Sequence, residues 1–153
     1  MSRVVEAARG WIGTPYVHQA SCKGAGCDCL GLIRGLWREL YGSEPEAPPA
    51  YTMDWSEPQS AEALWQAAAR YLLTKPLAEA APGDVILFRM RQGSVAKHLG
   101  VQSGVTGLRA APGPVEVPAF IHAYAGHGVV ESPLSPPWQR RIVARFLFPK
   151  ELI

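Results

Sequence analysis

The chain has 153 residues, 48% hydrophobic and 18% charged, with a formal net charge of +2. That length can bury a core without staples, and the composition is that of one globular domain over residues 1–153 rather than a disordered segment. A charge of +2 with no basic cluster denser than Arg140-Arg141 gives no ground for nucleic-acid binding, and no apolar run approaches the ~20 residues of a membrane span.

The opening Met1-Ser2-Arg3-Val4-Val5-Glu6 carries charge within its short apolar stretch and is not a signal peptide, so synthesis in the cytoplasm is expected. Val4 to Trp11 reads as a short amphipathic helix ended by Gly13, followed by a turn at Gly13-Thr14-Pro15-Tyr16 and a loop from Val17 to Asp28. Next comes the most regular stretch of the chain. Cys29, Leu32, Ile33, Leu36, Trp37 and Leu40 recur at helical spacing, with Arg34, Arg38 and Glu39 off the stripe and free to face water. Asp28 is the expected N-cap and Gly42 the left-handed C-cap.

Ser43 to Trp55, with Pro45, Pro48 and Pro49, reads as a surface loop. Ser56-Glu57-Pro58-Gln59 has capping-box spacing and predicts a second long helix through Ala61, Leu64, Trp65, Ala68, Tyr71 and Leu72, stopping before Pro76. After Pro82-Gly83-Asp84 the period changes to strand. Val85-Ile86-Leu87-Phe88 predicts a strand buried on both faces, Arg89 to Lys97 a hairpin tip, and His98 to Gln102 the returning strand. Ser103 to Val117 is a Gly/Pro-rich excursion. Phe120–Tyr124 and Val129–Ser132 form a hairpin across Gly126-His127-Gly128; Pro133 to Trp138 is loop, and Ile142 to Phe148 is the last strand. Helices followed by an antiparallel run of strands make an α+β fold.

Cys22, Cys27 and Cys29 fall within eight positions. An odd count without a signal peptide argues against a disulfide framework. With His18 they could supply four metal ligands, but C-x4-C-x-C is not a zinc pattern and no second cluster follows, so no metal or cofactor is expected. Cys29 differs from its neighbours in position: it stands in the first helical turn, among unpaired backbone N–H groups at the positive end of the helix dipole. That favours the thiolate and marks Cys29 as the candidate nucleophile, although most cysteines on an apolar helical face simply pack. A thiol nucleophile needs a base and a group that orients the base. His98 and His122 lie in predicted strands; His18 lies in a loop and His127 at a turn tip.

Asp28-Cys29-Leu30-Gly31-Leu32, Pro82-Gly83-Asp84-Val85, His98-Leu99-Gly100-Val101 and Ile121-His122-Ala123 resemble, in that order, the motifs of the NlpC/P60 cysteine peptidases. Trp11-Ile12-Gly13-Thr14-Pro15-Tyr16 is similar to the family's segment before the cysteine, and the likeness runs from about Arg9 to about Ser132. The resemblance implies a papain-like fold with N-terminal helices packed on a small antiparallel sheet. It implies hydrolysis of the peptidoglycan stem peptide, typically between D-glutamate and a diamino acid, without a cofactor. Residue by residue, it makes Cys29 the nucleophile, His98 the general base and His122 the orienting residue, with His127 the alternative third member. Tyr16 and Asp28 then line the substrate and oxyanion side. Leu30 stands where the family carries a small residue and is expected to narrow or reshape the pocket. The small size and the Cys27-Asp28-Cys29 lead-in look most like the cell-wall peptidases of phage tails and gene transfer agents. A phage-like tail or baseplate is thus the implied partner and the cell wall the implied place of action, with Ser43–Trp55 and Ser103–Val117 as candidate docking loops.

Overall fold

The computed structural model describes residues 2–45, 62–105 and 118–149. Asp28 opens the central helix α2 (Cys29–Tyr41) by accepting a hydrogen bond from the Gly31 N–H, and Gly42, at φ 95°, ends it. The apolar stripe faces inward as predicted, with Leu32 and Leu36 fully buried. Arg34 and Arg38 do not simply face water: both are half-buried on the Glu44 carboxylate, Arg34 Nε at 2.6 Å and Arg38 Nη1 at 2.9 Å.

The other elements are α1 (Arg3–Arg9), a two-stranded ribbon β1 (Ser21–Cys22) and β2 (Gly26–Cys27), α3 (Ala63–Tyr71), β3 (Leu73–Lys75), β4 (Val85–Arg89), β5 (Ala96–Gly104), β6 (Ala119–Tyr124), β7 (Gly128–Pro133), α4 (Pro136–Gln139) and β8 (Ile142–Leu147). Six strands form one antiparallel sheet in the order β3-β8-β4-β5-β6-β7. This is the expected α+β arrangement, with α2 packed against β5 and β6. The continuous apolar run of β4 has the predicted cause. Val85 and Leu87 join the main core under α2, while Ile86 and Phe88 join a second cluster with Phe120 and Leu134 on the opposite face of the sheet.

Three segments depart from the pattern. The capping-box start at Ser56 lies outside the described residues; within them the helix is α3 from Ala63, and the Glu62 carboxylate before it binds the Ala96 N–H and Arg89, each at 2.9 Å. Its predicted last turn is strand β3, drawn onto β8 with Thr74 opposite Phe146. The predicted loops at 17–28 and 133–138 contain the short ribbon and α4. Most of the two candidate docking loops, residues 46–55 and 106–117, lies outside the described residues.

The Pro82-Gly83-Asp84 turn is anchored by a buried charge cluster. Asp84 accepts from Lys75 Nζ, Arg145 Nη1 and the Ala81 N–H, each at 2.9 Å, and Arg145 also donates to Gln102 Oε1 at 2.6 Å. One carboxylate thereby ties β3, β8 and β5 together.

Candidate active site

Cys29 is placed by its neighbours in sequence. The Asp28 carboxylate is 2% exposed and used on both oxygens, accepting from the Gly31 N–H and the Gln19 N–H at 2.7 Å each. It caps α2 and draws the 17–20 loop against the start of the helix. The approach is so close that a Cβ on Gly31 would stand 1.8 Å from the Ala20 carbonyl oxygen. Cys29 Sγ sits 3.8 Å from the Lys97 carbonyl oxygen, which accepts from the thiol. Leu30 does not narrow the pocket: it packs, partly buried, against the core and is not among the cleft's lining residues.

The histidines come from two adjacent strands. Alternation sets His98, Gly100 and Gln102 on one face of β5, and Phe120, His122 and Tyr124 on the same face of β6. Gly100, between His98 and Gln102, gives room for the Phe120 ring to lie against β5 beside the histidines. A Cβ there would lie 2.8 Å from the Phe120 ring and 3.4 Å from His122 Cβ. In the space left, His98 Nε2 and His122 Nδ1 are 2.8 Å apart, and His122 Nε2 lies 3.0 Å from Ser132 Oγ on β7. Phe88 packs on the His98 ring and Trp138, from α4, on both, with centroids 5.2 to 5.6 Å apart. His127 is not brought to His98. It is exposed at the hairpin tip and stacked on Tyr124 at 5.2 Å.

Tyr16, His18, Asp28, Cys29, Lys97 and His98 line one cleft of about 130 Å3, with His122 behind His98. A parallel bridge between Tyr16 and Cys27 holds Tyr16 there. Cys22 is exposed, whereas Cys27 and Cys29 are buried; all three are free, and among the described residues no group of three or more His, Cys, Asp or Glu could hold a metal.

Burial, then the Asp28 carboxylate, pushes the Cys29 thiol up to about 12. Burial, then the neighbouring His122 and Arg141, pulls His98 down to about 3, and burial, then His127, pulls His122 down to about 4. Both shifts run toward the neutral thiol and the neutral imidazole, opposite to the helix-dipole effect that favours the thiolate. Tyr16 is pushed up to about 12 by burial and then by Cys29, so its hydroxyl stays protonated and can donate. A buried thiol and a neutral imidazole in one cleft, beside hydroxyl and backbone N–H donors, are the parts needed for acyl transfer.

Ser132 and Trp138 carry no sequence signal for a part in the site. Ser132 reaches His122 only through the register pairing Phe120 with Ser132, and Trp138 lies in a stretch with no periodicity.

The family model described as NlpC/P60 family matches residues 13–146. The murein DD-endopeptidase MepS/murein LD-carboxypeptidase of Escherichia coli (strain K12) is 28% identical over 141 residues, covering 92% of this chain and 58% of that protein. The gamma-DL-glutamyl hydrolase of Bacillus subtilis (strain 168) is 29% identical over 101 residues, 66% of this chain and 21% of that protein. The chain thus spans little more than half the length of the murein endopeptidase and a fifth of the glutamyl hydrolase. In fold it is similar to the NlpC/p60 domain of peptidoglycan hydrolase SagA, with a TM-score of 0.57 at 19% identity and 94% of each chain covered.

Proposed function

The chain belongs to the NlpC/P60 family, and we propose that it is a cysteine peptidase that hydrolyses peptide bonds in the peptidoglycan stem. The observation that carries the proposal is the placing of Cys29 and His98 in one cleft, with Nε2 of His98 held by His122 at 2.8 Å. In this reading the substrate carbonyl enters beside Cys29. As sulfur attacks, the thiol proton passes to Nδ1 of His98, and the oxyanion is met by backbone N–H groups at the start of α2 and by the Tyr16 hydroxyl. The tetrahedral adduct expels the amine, which takes the proton from His98. Water then gives a proton to the same nitrogen and attacks the thioester, releasing the acid and restoring the thiol. Asp28 orients the Cys29 turn; an anion with both oxygens engaged by N–H groups is suited to holding the loop and not to meeting an oxyanion.

The scissile bond proposed is the one between D-glutamate and the diamino acid, supported by the family resemblance of the motifs and by the glutamyl specificity in the name of the Bacillus relative. Incubation with defined muropeptides and weighing of the products tests it. The wild-type protein should release the dipeptide that ends in D-glutamate, and Cys29→Ala and His98→Ala should release nothing. Cleavage at another stem bond would move the specificity to that of the Escherichia relative's name, and no cleavage of any muropeptide would favour an amidase or acyltransferase acting away from the wall, or a structural part.

We further propose that a phage-like tail delivers the protein, on the likeness of its small domain and Cys27-Asp28-Cys29 lead-in to tail peptidases. Purified tail particles should contain it; protein found only free in lysates would overturn delivery and leave the peptidase reading standing.

A further inference from the structure

The histidine pair ends on a hydroxyl, Ser132 Oγ, beyond the far nitrogen of His122. His122 is fully buried, so its Nε2 depends on a protein partner, and Ser132 Oγ at 3.0 Å is that partner. Each neutral imidazole carries one N–H, and the heavy-atom chain His98–His122–Ser132 admits two proton arrangements. In the first, His98 Nε2–H donates to His122 Nδ1, and His122 Nε2–H donates to Ser132 Oγ, leaving Nδ1 of His98 as the basic nitrogen. In the second every bond is reversed: Ser132 O–H donates to His122 Nε2, His122 Nδ1–H donates to His98 Nε2, and Nδ1 of His98 carries the proton. Only the first can take a proton from the Cys29 thiol through Nδ1.

We propose that Ser132 is a positioning residue of this site, accepting the His122 Nε2–H and so holding both histidines in the Nε2–H form that leaves Nδ1 of His98 free to act as base. The inference rests on His98 being the base; Ser132 touches neither substrate nor nucleophile. Its strand makes it apt for the task. The β6–β7 register pairs His122 with Val130 and Phe120 with Ser132, so Ser132 is the diagonal neighbour of His122 on the same face, and the Phe120 and Trp138 rings pack around the imidazole. A hydroxyl also suits the cycle. When His98 becomes an imidazolium during turnover, its Nε2–H still donates to His122 and the far end of the chain need not change.

Nitrogen-15 spectra of the full chain as Cys29→Ala, which turns nothing over, read the tautomers directly and independently of activity. Both rings should show the Nε2–H pattern; an Nδ1–H pattern on His122 would overturn the proposal even if His98 proves to be the base. In the active protein, Ser132→Ala should lower kcat roughly tenfold with KM little changed, about the worth of one hydrogen bond, and show mixed tautomers. Ser132→Thr, which keeps the hydroxyl, should restore both. Unmixed Nε2–H rings in Ser132→Ala, a loss under about twofold, or failure of Thr to rescue in a folded protein would each overturn the role, whereas full activity in His98→Ala would strike the peptidase mechanism and not the tautomer claim.

Discussion

The N–H groups of Leu99, Leu30 and Cys29 all favour a negative Cys29 sulfur, yet burial and the Asp28 carboxylate outweigh them and push the thiol up to about 12. In the proposed mechanism Cys29 is therefore activated by proton transfer during attack rather than as a standing thiolate. Alkylation of Cys29 by iodoacetamide should be slow at neutral pH and accelerate through the alkaline range; a fast reaction that is flat from pH 5 to 8 would mean a preformed ion pair. Cys27 is also buried, and burial followed by Asp28 pushes it up to about 12, but it lies in β2, outside the cleft lining. Cys27→Ala should keep most cleavage while losing about 1 kcal/mol of stability from the removed core sulfur, as read by denaturant unfolding; loss of cleavage in a stable Cys27→Ala would contradict the assignment. The position of Cys29 was legible in the sequence because a helical stripe and its cap are local. The charge state of its sulfur was not, because it depends on how deeply the folded chain buries it.

At the scale of elements, two close approaches hold the site together. The 17–20 loop rests on Gly31 in α2, and the β6 side chains rest on Gly100 in β5. Gly31→Ala should destabilise the protein by roughly 2 kcal/mol or more, the cost of an overpacked contact against rigid backbone, and reduce cleavage by displacing the start of α2. Gly100→Ala meets a ring at 2.8 Å and should disturb the spacing of the histidines more than the fold. A near-normal melting temperature with strongly reduced kcat is the expected pair of results, and unchanged kcat would contradict the packing account. Helix α2 and strands β4 to β8 were readable because period 3.6 and period 2 are each sustained in their residues. β3 was not: Leu72 and Leu73 continue an apolar helical reading, and only the edge of β8 makes Leu73–Lys75 extended. Gly31 and Gly100 could be read as motif members, but their reason is spatial, a carbonyl in one case and a ring in the other.

Across the whole molecule, the sheet is pinned at one end by the buried Asp84 cluster and carries the neutral histidine pair on β5 and β6. Folding depresses both histidines, to about 3 and about 4, so their contribution is fully present above the unfolded value of about 6.5 and is lost as pH falls toward those values. Stability should fall by up to about 1.4 kcal/mol per pH unit for each histidine between about pH 6 and 4. Chemical denaturation across that range should show the slope, and the double variant His98→Gln/His122→Gln should flatten it; an equal slope in the variant would place the acid lability elsewhere. The α+β class and the order of the motifs were legible along the chain, whereas the convergence of Tyr16, Cys29 and His98 on one cleft depends on sheet order and register. The most direct test of the central claim, that Cys29 is acylated by a peptidoglycan stem peptide, is rapid quenching with a defined muropeptide followed by peptide mapping. The account predicts the mass of the stem fragment on the Cys29 peptide, decaying as free product appears; cleavage with no adduct on Cys29, or cleavage that survives in Cys29→Ala, would contradict it.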